Sequence, residues 1–333
     1  MLRLMPAARL RGHRSAAWLV DPRGPLLACA LACVLASTPL GRAHAAAGAR
    51  ERPADALPEL PVPGSGERVL VIAPHPDDET LCCGGLLQRA ASAGASVGVV
   101  WITAGDSFEI DAMVTERTLR PKGRGLAQLG AQRIAEAHAA ADLLGVPREN
   151  QFVLGYPDRG LAALLAGSGT RVHRSAYTHT EAVTYDQALS PGSAYTGDDL
   201  RRDLDAVLTR FAPTIVLVAA PQDRHSDHRA SGALTMELLA TKLPRARAYY
   251  WIVHAGLKWP WPHGLHRTRS LRPPARAALL DWQTLPLDDF TEERKLLALR
   301  QHGSQLRVMS WFLESFVRSN ELFAPVPVSA PVP

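Results

Sequence analysis

The chain has 333 residues, of which 47% are hydrophobic and 21% are charged. This composition excludes a wholly disordered or fibrous chain and is typical of a globular protein with one large domain or two small ones. The formal net charge is +5, but residues 1–45 alone carry six arginines against Asp21, so the remainder is close to neutral. We therefore predict no nucleic-acid partner.

The N-terminal segment has the order of an export signal. Arginines precede the apolar run "PLLACALACVLA", and Ala43 and Ala45 then form an A-x-A pattern. We predict a signal peptide over residues 1–45 and a mature protein that is exported, either periplasmic or secreted, without stable membrane insertion. A retained membrane anchor is the alternative, although the apolar run is shorter than the ~20 residues that a span needs.

Two segments rich in proline and small residues flank the main part of the chain. We interpret residues 46–66 as a linker and residues 324–333 as a tail, both extended and solvated, around one domain over residues 67–323. After signal removal only Cys82 and Cys83 remain. Adjacent cysteines are poorly placed to bridge each other, so we expect no structural disulfide.

Apolar runs alternate with amphipathic stretches along the domain. Strands are predicted at 69–73, 96–103, 151–154, 214–219 and 248–253, and helices at 81–93, 127–144, 200–211, 231–243 and 291–306. The strands are apolar on both faces, and helices follow them. The pattern predicts an α/β, Rossmann-like fold in a single domain, with a mostly parallel sheet covered by helices on both faces.

Polar residues cluster just after two of these strands. "PHPDDET" follows the first strand and places His75 three residues before Asp78, whereas "HSDH" follows the fourth strand and places His225 three residues before His228. The carboxyl ends of parallel strands meet at one edge of a sheet, where such folds bind ligands. An imidazole and a carboxylate from the first loop and an imidazole from the second would form a three-ligand zinc site with an open position, as in catalytic zinc centres.

Each motif also has a purely structural explanation. The acids of "PDDE" are favourable at the start of a helix, and "HSDHR" is compatible with a solvated helix start. The structural explanation would require two coincidences, since both motifs follow strands of the same predicted sheet. The two together therefore favour a metal site.

The sequence resembles the PIG-L/LmbE-like zinc-dependent N-acetylglucosaminyl de-N-acetylases. The resemblance rests on "PHPDDETLCCGG" and "HSDH", with support from "LGAQRIAEAHAAADLLGV" and "LGYPDRGL", and it spans most of residues 67–322. It implies a Zn²⁺ cofactor and an N-acetylated amino-sugar conjugate or glycan as substrate. The expected reaction is amide hydrolysis that releases acetate and a free amine.

The same resemblance implies roles for individual residues. Zinc would be bound by His75, Asp78 and His228. Asp77 would act as the base, and His225 would act as the acid with Asp227 behind it, while Arg133 and Asp158 would contact the sugar. These eight positions match the family motifs residue by residue.

Two rival functions keep the same metal site. A non-catalytic, exported zinc- or glycan-binding protein would not require Asp77 or His225, so their presence weighs against it. A metal-dependent esterase would require the same groups as a deacetylase, and a single zinc with one open position favours acyl transfer over phosphoryl transfer. Trp259 and Trp261 flank the predicted site, where they either stack on sugar faces or anchor a surface loop.

Overall fold

The computed structural model describes residues 57–107 and 123–328. Within these residues, one sheet has the strand order β3-β2-β1-β4-β5-β7-β6. The first five strands are parallel, β7 runs antiparallel to β5, and β6 runs antiparallel to β7. The strands are β1 (Arg68–Ala73), β2 (Ser96–Thr103), β3 (Gln151–Tyr156), β4 (Ile215–Ala219), β5 (Arg247–Trp251), β6 (Gln283–Pro286) and β7 (Asn320–Val326).

The helices pack in two groups. They are α1 (Asp78–Ser92), α2 (Arg124–Leu143), α3 (Leu161–Leu165), α4 (Gly197–Phe211), α5 (Ser226–Lys242), α6 (Asp289–Leu299) and α7 (Gly303–Leu313). Helices α1, α2 and α6 contact one another, and α3, α4 and α5 form a second contacting set. The α/β fold class and the mostly parallel sheet are confirmed. No helix in the described residues is long and apolar enough to cross a membrane.

The predicted strands and helices of the parallel part lie close to their observed bounds. The helix expected over 291–306 is instead two helices, α6 and α7, because the helix is interrupted between Leu299 and Gly303. Strands β6 and β7 were not predicted. Strand β6 has only four residues and ends at Pro286, so it lacks the length and the pattern of a buried strand.

Both flanking segments are only partly solvated where the structure describes them. Leu57 and Leu60 are buried, and the Leu60 N–H donates to the Thr284 carbonyl oxygen at 2.8 Å. Strand β7 continues to Val326 and pairs with β5. A proline-rich composition predicts an extended chain, but it does not decide whether water or a neighbouring strand accepts its backbone hydrogen bonds. The predicted signal peptide and residues 46–56 and 329–333 lie outside the described residues.

The expectation of no disulfide is also wrong. Cys82 and Cys83 are bonded to each other within α1, and both side chains are buried. Neighbouring Cα atoms are separated by the fixed spacing of one peptide, here 3.8 Å. The bond therefore constrains a single peptide unit and closes no long loop of the unfolded chain.

Candidate functional site

The polar loops after β1 and β4 lie side by side because these two strands are adjacent and parallel. His75 lies in the first loop, and Asp78 begins α1 directly after it. His225 is the N-cap of α5, and His228 lies in the first turn of that helix. The structure thus brings together the two halves of the site that the sequence predicts at the carboxyl edge of the sheet.

Three buried atoms form an almost equilateral triangle at this edge. His75 Nδ1 lies 3.2 Å from Asp78 Oδ2 and 3.2 Å from His228 Nε2, and the last two atoms are also 3.2 Å apart. Ligand bonds of about 2.0 Å in tetrahedral geometry place neighbouring donor atoms about 3.3 Å apart. Two imidazoles and a carboxylate with this spacing fit a divalent metal ion.

Carboxylates lie behind both imidazoles of the triangle. His228 Nδ1 is 3.1 Å from Asp223 Oδ2, and His75 Nε2 is 3.2 Å from Asp158 Oδ1. A carboxylate on the outer nitrogen places the proton there and leaves the inner nitrogen as the ligand. Asp223 Oδ2 also accepts the N–H groups of Val253 and His254, at 3.1 and 3.0 Å. No motif in the sequence predicts this role for Asp223.

Asp77 is held in a strained position beside the triangle. It precedes α1 with a φ of 138°, a backbone angle that residues other than glycine rarely adopt. Arg133 holds this turn, because Nη2 donates to the Pro76 carbonyl oxygen at 2.9 Å and lies 3.2 Å from Asp77 Oδ2. Burial raises the pKa of Asp77 to about 6, and the charge of Arg133 opposes that shift. Asp77 is thus an oriented carboxylate suited to accept a proton.

Glu79 supports Asp77 from within the first turn of α1. Its Oε2 accepts the Asp77 N–H at 3.2 Å and the Trp101 indole N–H at 2.8 Å. Its Oε1 accepts the Thr80 hydroxyl at 2.7 Å and lies 3.4 Å from His302 Nε2. Sequence reasoning interpreted Glu79 only as a favourable acid at a helix start, and its complete burial is the observation that reveals more.

His225 and Asp227 are arranged differently from the prediction. His225 Nδ1 accepts the backbone N–H of Asp227 at 3.2 Å, which places the proton of a neutral ring on Nε2. The Asp227 carboxylate instead faces His75 Nε2 at 3.6 Å and accepts the Arg159 N–H at 2.6 Å. Burial, with the charges of His75 and His228, lowers the pKa of His225 to about 2. The Asp227 carboxylate therefore lies against His75 and Arg159, and not behind the His225 ring as predicted.

The predicted sugar-contacting residues line the same cavity. This cavity has a volume of about 180 Å³, and we call it the metal-site pocket. Arg133 and Asp158 both face it, although each also contacts the protein, Arg133 through Asp77 and Gly105 and Asp158 through His75 and Ser107. Both are placed to position other groups of the site as well as a ligand.

His254 is a further residue of the pocket without a role in the sequence analysis. It follows β5, and its ring centroid lies 4.8 Å from that of His228 and 5.3 Å from that of His225. Its ring stacks on Phe312 of α7 at 6.0 Å. Its position directly after a parallel strand was the only sequence signal available.

Comparison with known proteins places this site in context. Residues 70–239, more than half of the chain, match the model of the GlcNAc-PI de-N-acetylase (PIG-L) family. The chain is 29% identical over 299 residues to a 1D-myo-inositol 2-acetamido-2-deoxy-alpha-D-glucopyranoside deacetylase of Segniliparus rotundus, covering 78% of this chain and 83% of that protein.

Two solved structures share the fold. The A40926 pseudoaglycone deacetylase Dbv21 aligns with a TM-score of 0.50 at 20% identity, over 79% of this chain and 98% of its own. A deacetylase of the teicoplanin biosynthesis pathway aligns with a TM-score of 0.51 at 18% identity, over 78% and 97% of the two chains. With both strand-end motifs assembled at one site and the family model matched across them, the chain belongs to the GlcNAc-PI de-N-acetylase (PIG-L) family.

Proposed function

We propose that this protein is a zinc-dependent hydrolase that removes the acetyl group from an N-acetylglucosamine-type sugar conjugate and releases acetate and a free amine. The observation that carries the proposal is the triangle of His75, Asp78 and His228 with the oriented carboxylate of Asp77 beside it. The family match supports this reaction, and so does the named activity of the Segniliparus relative.

The donor set of the triangle suits zinc. Two imidazoles and one carboxylate are common zinc ligands, and three protein ligands leave a coordination position open, as in catalytic sites. When bound, zinc supplies Lewis acidity that acidifies a water and polarises a carbonyl. The contacts from Asp223 and Asp158 to the outer nitrogens would fix both rings in the ligating orientation.

The residues around the metal supply the remaining chemistry. Asp77, oriented by Arg133, takes a proton from the attacking water and can return it to the departing amine. His225 donates a hydrogen bond from Nε2 to the acetyl oxygen as negative charge develops there, because its Nδ1 is occupied by the Asp227 N–H. Asp227 contacts His75 and would act through that ring. Proton transfer, which the sequence resemblance divides between Asp77 and His225, is assigned here to Asp77 alone.

The substrate side rests on the walls of the pocket. Asp158 and Arg133 face the cavity and would contact sugar hydroxyls next to the acetamido group. If the export signal predicted over residues 1–45 is used, the mature protein would lie outside the cytoplasm and the substrate would be an envelope or external glycan conjugate.

The rival functions are weighed by the same geometry. A glycan-binding protein without turnover has no need for a buried acid held at a strained backbone position, as Asp77 is. An esterase would use the same groups on an oxygen leaving group. An experiment must therefore decide between an N-acetyl and an O-acetyl substrate.

The test is acetate release by the zinc-loaded mature protein from N-acetylated oligosaccharides, compared with O-acetylated analogues of the same sugars. The proposal predicts acetate and one free amine per turnover from at least one N-acetylated ligand, with Asp77→Asn as the matched inactive control. Release from the O-acetyl analogues alone would establish the esterase, and ligand binding without release from either would establish the binding protein.

A further inference from the structure

A second and larger cavity opens beside the metal-site pocket. Its volume is about 1040 Å³, and the loop over residues 255–276 forms most of its wall. We call it the basic cavity, because six cationic side chains line it and none of its described lining residues is acidic: Arg224, Lys258, Arg269, Arg272, Arg276 and Arg318. A cavity of this size can hold a ligand larger than a monosaccharide.

These six cations have no carboxylate partners among the described residues. Their neighbour Arg267, on the same loop, pairs with both Glu292 and Glu293. Elsewhere on the described surface some arginines are paired, as Arg201 is with Glu237, and others such as Arg245 are not, so the distinctive feature of the cavity is that six unpaired cations lie around one space. Uncompensated like charges around one cavity repel one another, and an anion that binds there relieves that repulsion.

Arg318 makes this charge part of the interior. Its side chain is 1% exposed, and its Nε donates to the Ser315 carbonyl oxygen at 2.8 Å. Its two terminal nitrogens donate to the carbonyl oxygens of His266 and Pro262. Burial and the nearby charge of Arg269 lower the pKa of Arg318 to about 10. Backbone carbonyls thus fix a guanidinium in the cavity wall without neutralising it.

The basic cavity adjoins the metal-site pocket through two pairs of consecutive residues. Arg224 lines the cavity and precedes His225 of the pocket, and Ala255 lines the cavity and follows His254 of the pocket. The Arg224 N–H donates to the His254 carbonyl oxygen at 2.9 Å and ties these two segments together. The two cavities are therefore neighbours on either side of these two segments.

The two tryptophans of the loop have different roles. The Trp259 indole N–H donates to the Arg272 carbonyl oxygen at 2.8 Å, and its ring packs on Phe316 at a centroid distance of 5.5 Å. Trp259 thus anchors the loop. Trp261 lines the cavity with 74% of its surface exposed, which leaves an aromatic surface for the apolar face of a sugar ring.

We propose that the basic cavity binds an acidic sugar next to the N-acetylated sugar, so that the substrate is an anionic glycan. This inference rests on the proposed deacetylase function, because that function places the N-acetyl group in the adjoining pocket. Arginine side chains recognise carboxylate and sulfate groups with paired N–H donors, and the exposed Trp261 favours a sugar over a small inorganic anion. The adjoining metal-site pocket, which the proposed function fills with an N-acetylated sugar, favours a glycan over a nucleic acid.

The test compares equilibrium binding of two hexasaccharides by calorimetry. Hyaluronan hexasaccharide alternates N-acetylglucosamine with glucuronate, whereas chitohexaose contains only neutral N-acetylglucosamine. At low ionic strength hyaluronan should bind about 10-fold more tightly, and added salt should shrink this preference. Arg272→Glu and Arg276→Glu should each weaken hyaluronan binding by roughly 5-fold and so reduce the preference for hyaluronan over chitohexaose.

A charge reversal at the opposite end of β5 gives the matched control. Arg245 is exposed and has no ion-pair partner among the described residues, so Arg245→Glu should leave both affinities unchanged. Equal binding of the two hexasaccharides, or equal effects of Arg272→Glu and Arg245→Glu, would overturn the inference. Tighter binding of an oligonucleotide of the same charge would also overturn it and make the cavity a nucleic-acid site.

Acetate release in the same samples separates the two proposals. If the wild type releases acetate from chitohexaose but shows no preference for hyaluronan, the deacetylase proposal stands and the acidic-sugar site is ruled out. If hyaluronan binds more tightly through Arg272 but neither ligand releases acetate, the acidic-sugar site stands and the deacetylase proposal is ruled out.

Discussion

The metal-site pocket and the basic cavity adjoin each other, but their charged side chains differ in burial and in pairing. In the pocket of about 180 Å³, the charged groups are buried and in contact with one another, as His75, Asp78 and His228 are. In the cavity of about 1040 Å³, the cations have no carboxylate partners in the described chain, and five of the six are exposed.

The difference matches two separate tasks. Catalytic groups must hold their orientation before the substrate arrives, and buried partners such as the Asp223 carboxylate behind His228 provide that orientation. Exposed cations without partners can adjust to a ligand, and their charge is neutralised only when an anion binds. Substitutions in the pocket should therefore reduce turnover or metal binding, whereas substitutions in the cavity should change ligand affinity.

The largest expected effect is at Asp77. Asp77→Asn keeps the size of the side chain and leaves the three proposed metal ligands in place, but it removes the proposed proton acceptor. We expect kcat to fall by roughly 100-fold to 10,000-fold with metal content unchanged. Acetate release and metal analysis on the same preparation measure both. Loss of metal in step with activity would instead make Asp77 a ligand.

A smaller effect is expected at Asp223, which lies behind the proposed metal ligand His228. Asp223→Asn removes the negative charge from the His228 imidazole, and we expect zinc affinity to fall by roughly 10-fold to 100-fold. Competition with a fluorescent chelator measures the affinity, and Asp281→Asn, a change at an exposed acid, is the control. Unchanged affinity in the Asp223→Asn protein would show that this carboxylate does not support the metal site.

Glu79 tests whether orientation alone matters in the pocket. Glu79→Gln keeps an oxygen acceptor but weakens the contacts to the Asp77 N–H and to Trp101, so Asp77 should lose part of its alignment. We expect kcat to fall about 10-fold with little change in KM, because the loss concerns the transition state. A rise in KM at constant kcat would place Glu79 in substrate binding instead.

The smallest effect concerns stability and pH at Asp106. Burial and the neighbouring Asp158 raise the pKa of Asp106 to about 7, above its ordinary value of 3.8. Between these two values the folded state keeps a proton that the unfolded state has lost, so stability falls as pH rises. Between pH 5 and 6 the wild type should lose about 1 kcal/mol of unfolding free energy relative to Asp106→Asn. Denaturant titrations of both proteins at the two pH values measure the unfolding free energies. An equal change in the two proteins between these pH values would contradict the raised pKa of Asp106.

Sequence reasoning found the residues that short motifs define and missed those defined by contacts across the fold. His75, Asp78 and His228 follow parallel strands at fixed spacings, so the sheet rule brings them together. The roles of Asp223 and Glu79 depend on which atoms face them after folding. No spacing in the sequence specifies those contacts.

The charge argument shows the same limit on a larger scale. The near-neutral net charge outside residues 1–45 gives no sign of a basic cavity, because a net charge carries no information about where the charged residues lie. The loop after β5 and residues distant in sequence, Arg224 and Arg318, gather into one basic cavity only because β5 lies between β4 and β7. Likewise, strand β7 belongs to the sheet because it pairs with β5, and its own sequence pattern does not predict a strand.

The most direct test of the central claim is metal dependence of acetate release from one N-acetylated oligosaccharide. Activity and zinc content are measured on the purified protein, again after chelation, and again after one equivalent of zinc is returned, with His228→Ala treated in parallel. The account predicts about one zinc per chain, activity that is lost and regained with the metal, and neither property in His228→Ala. Full acetate release from the metal-free protein, or full zinc content in His228→Ala, would contradict it.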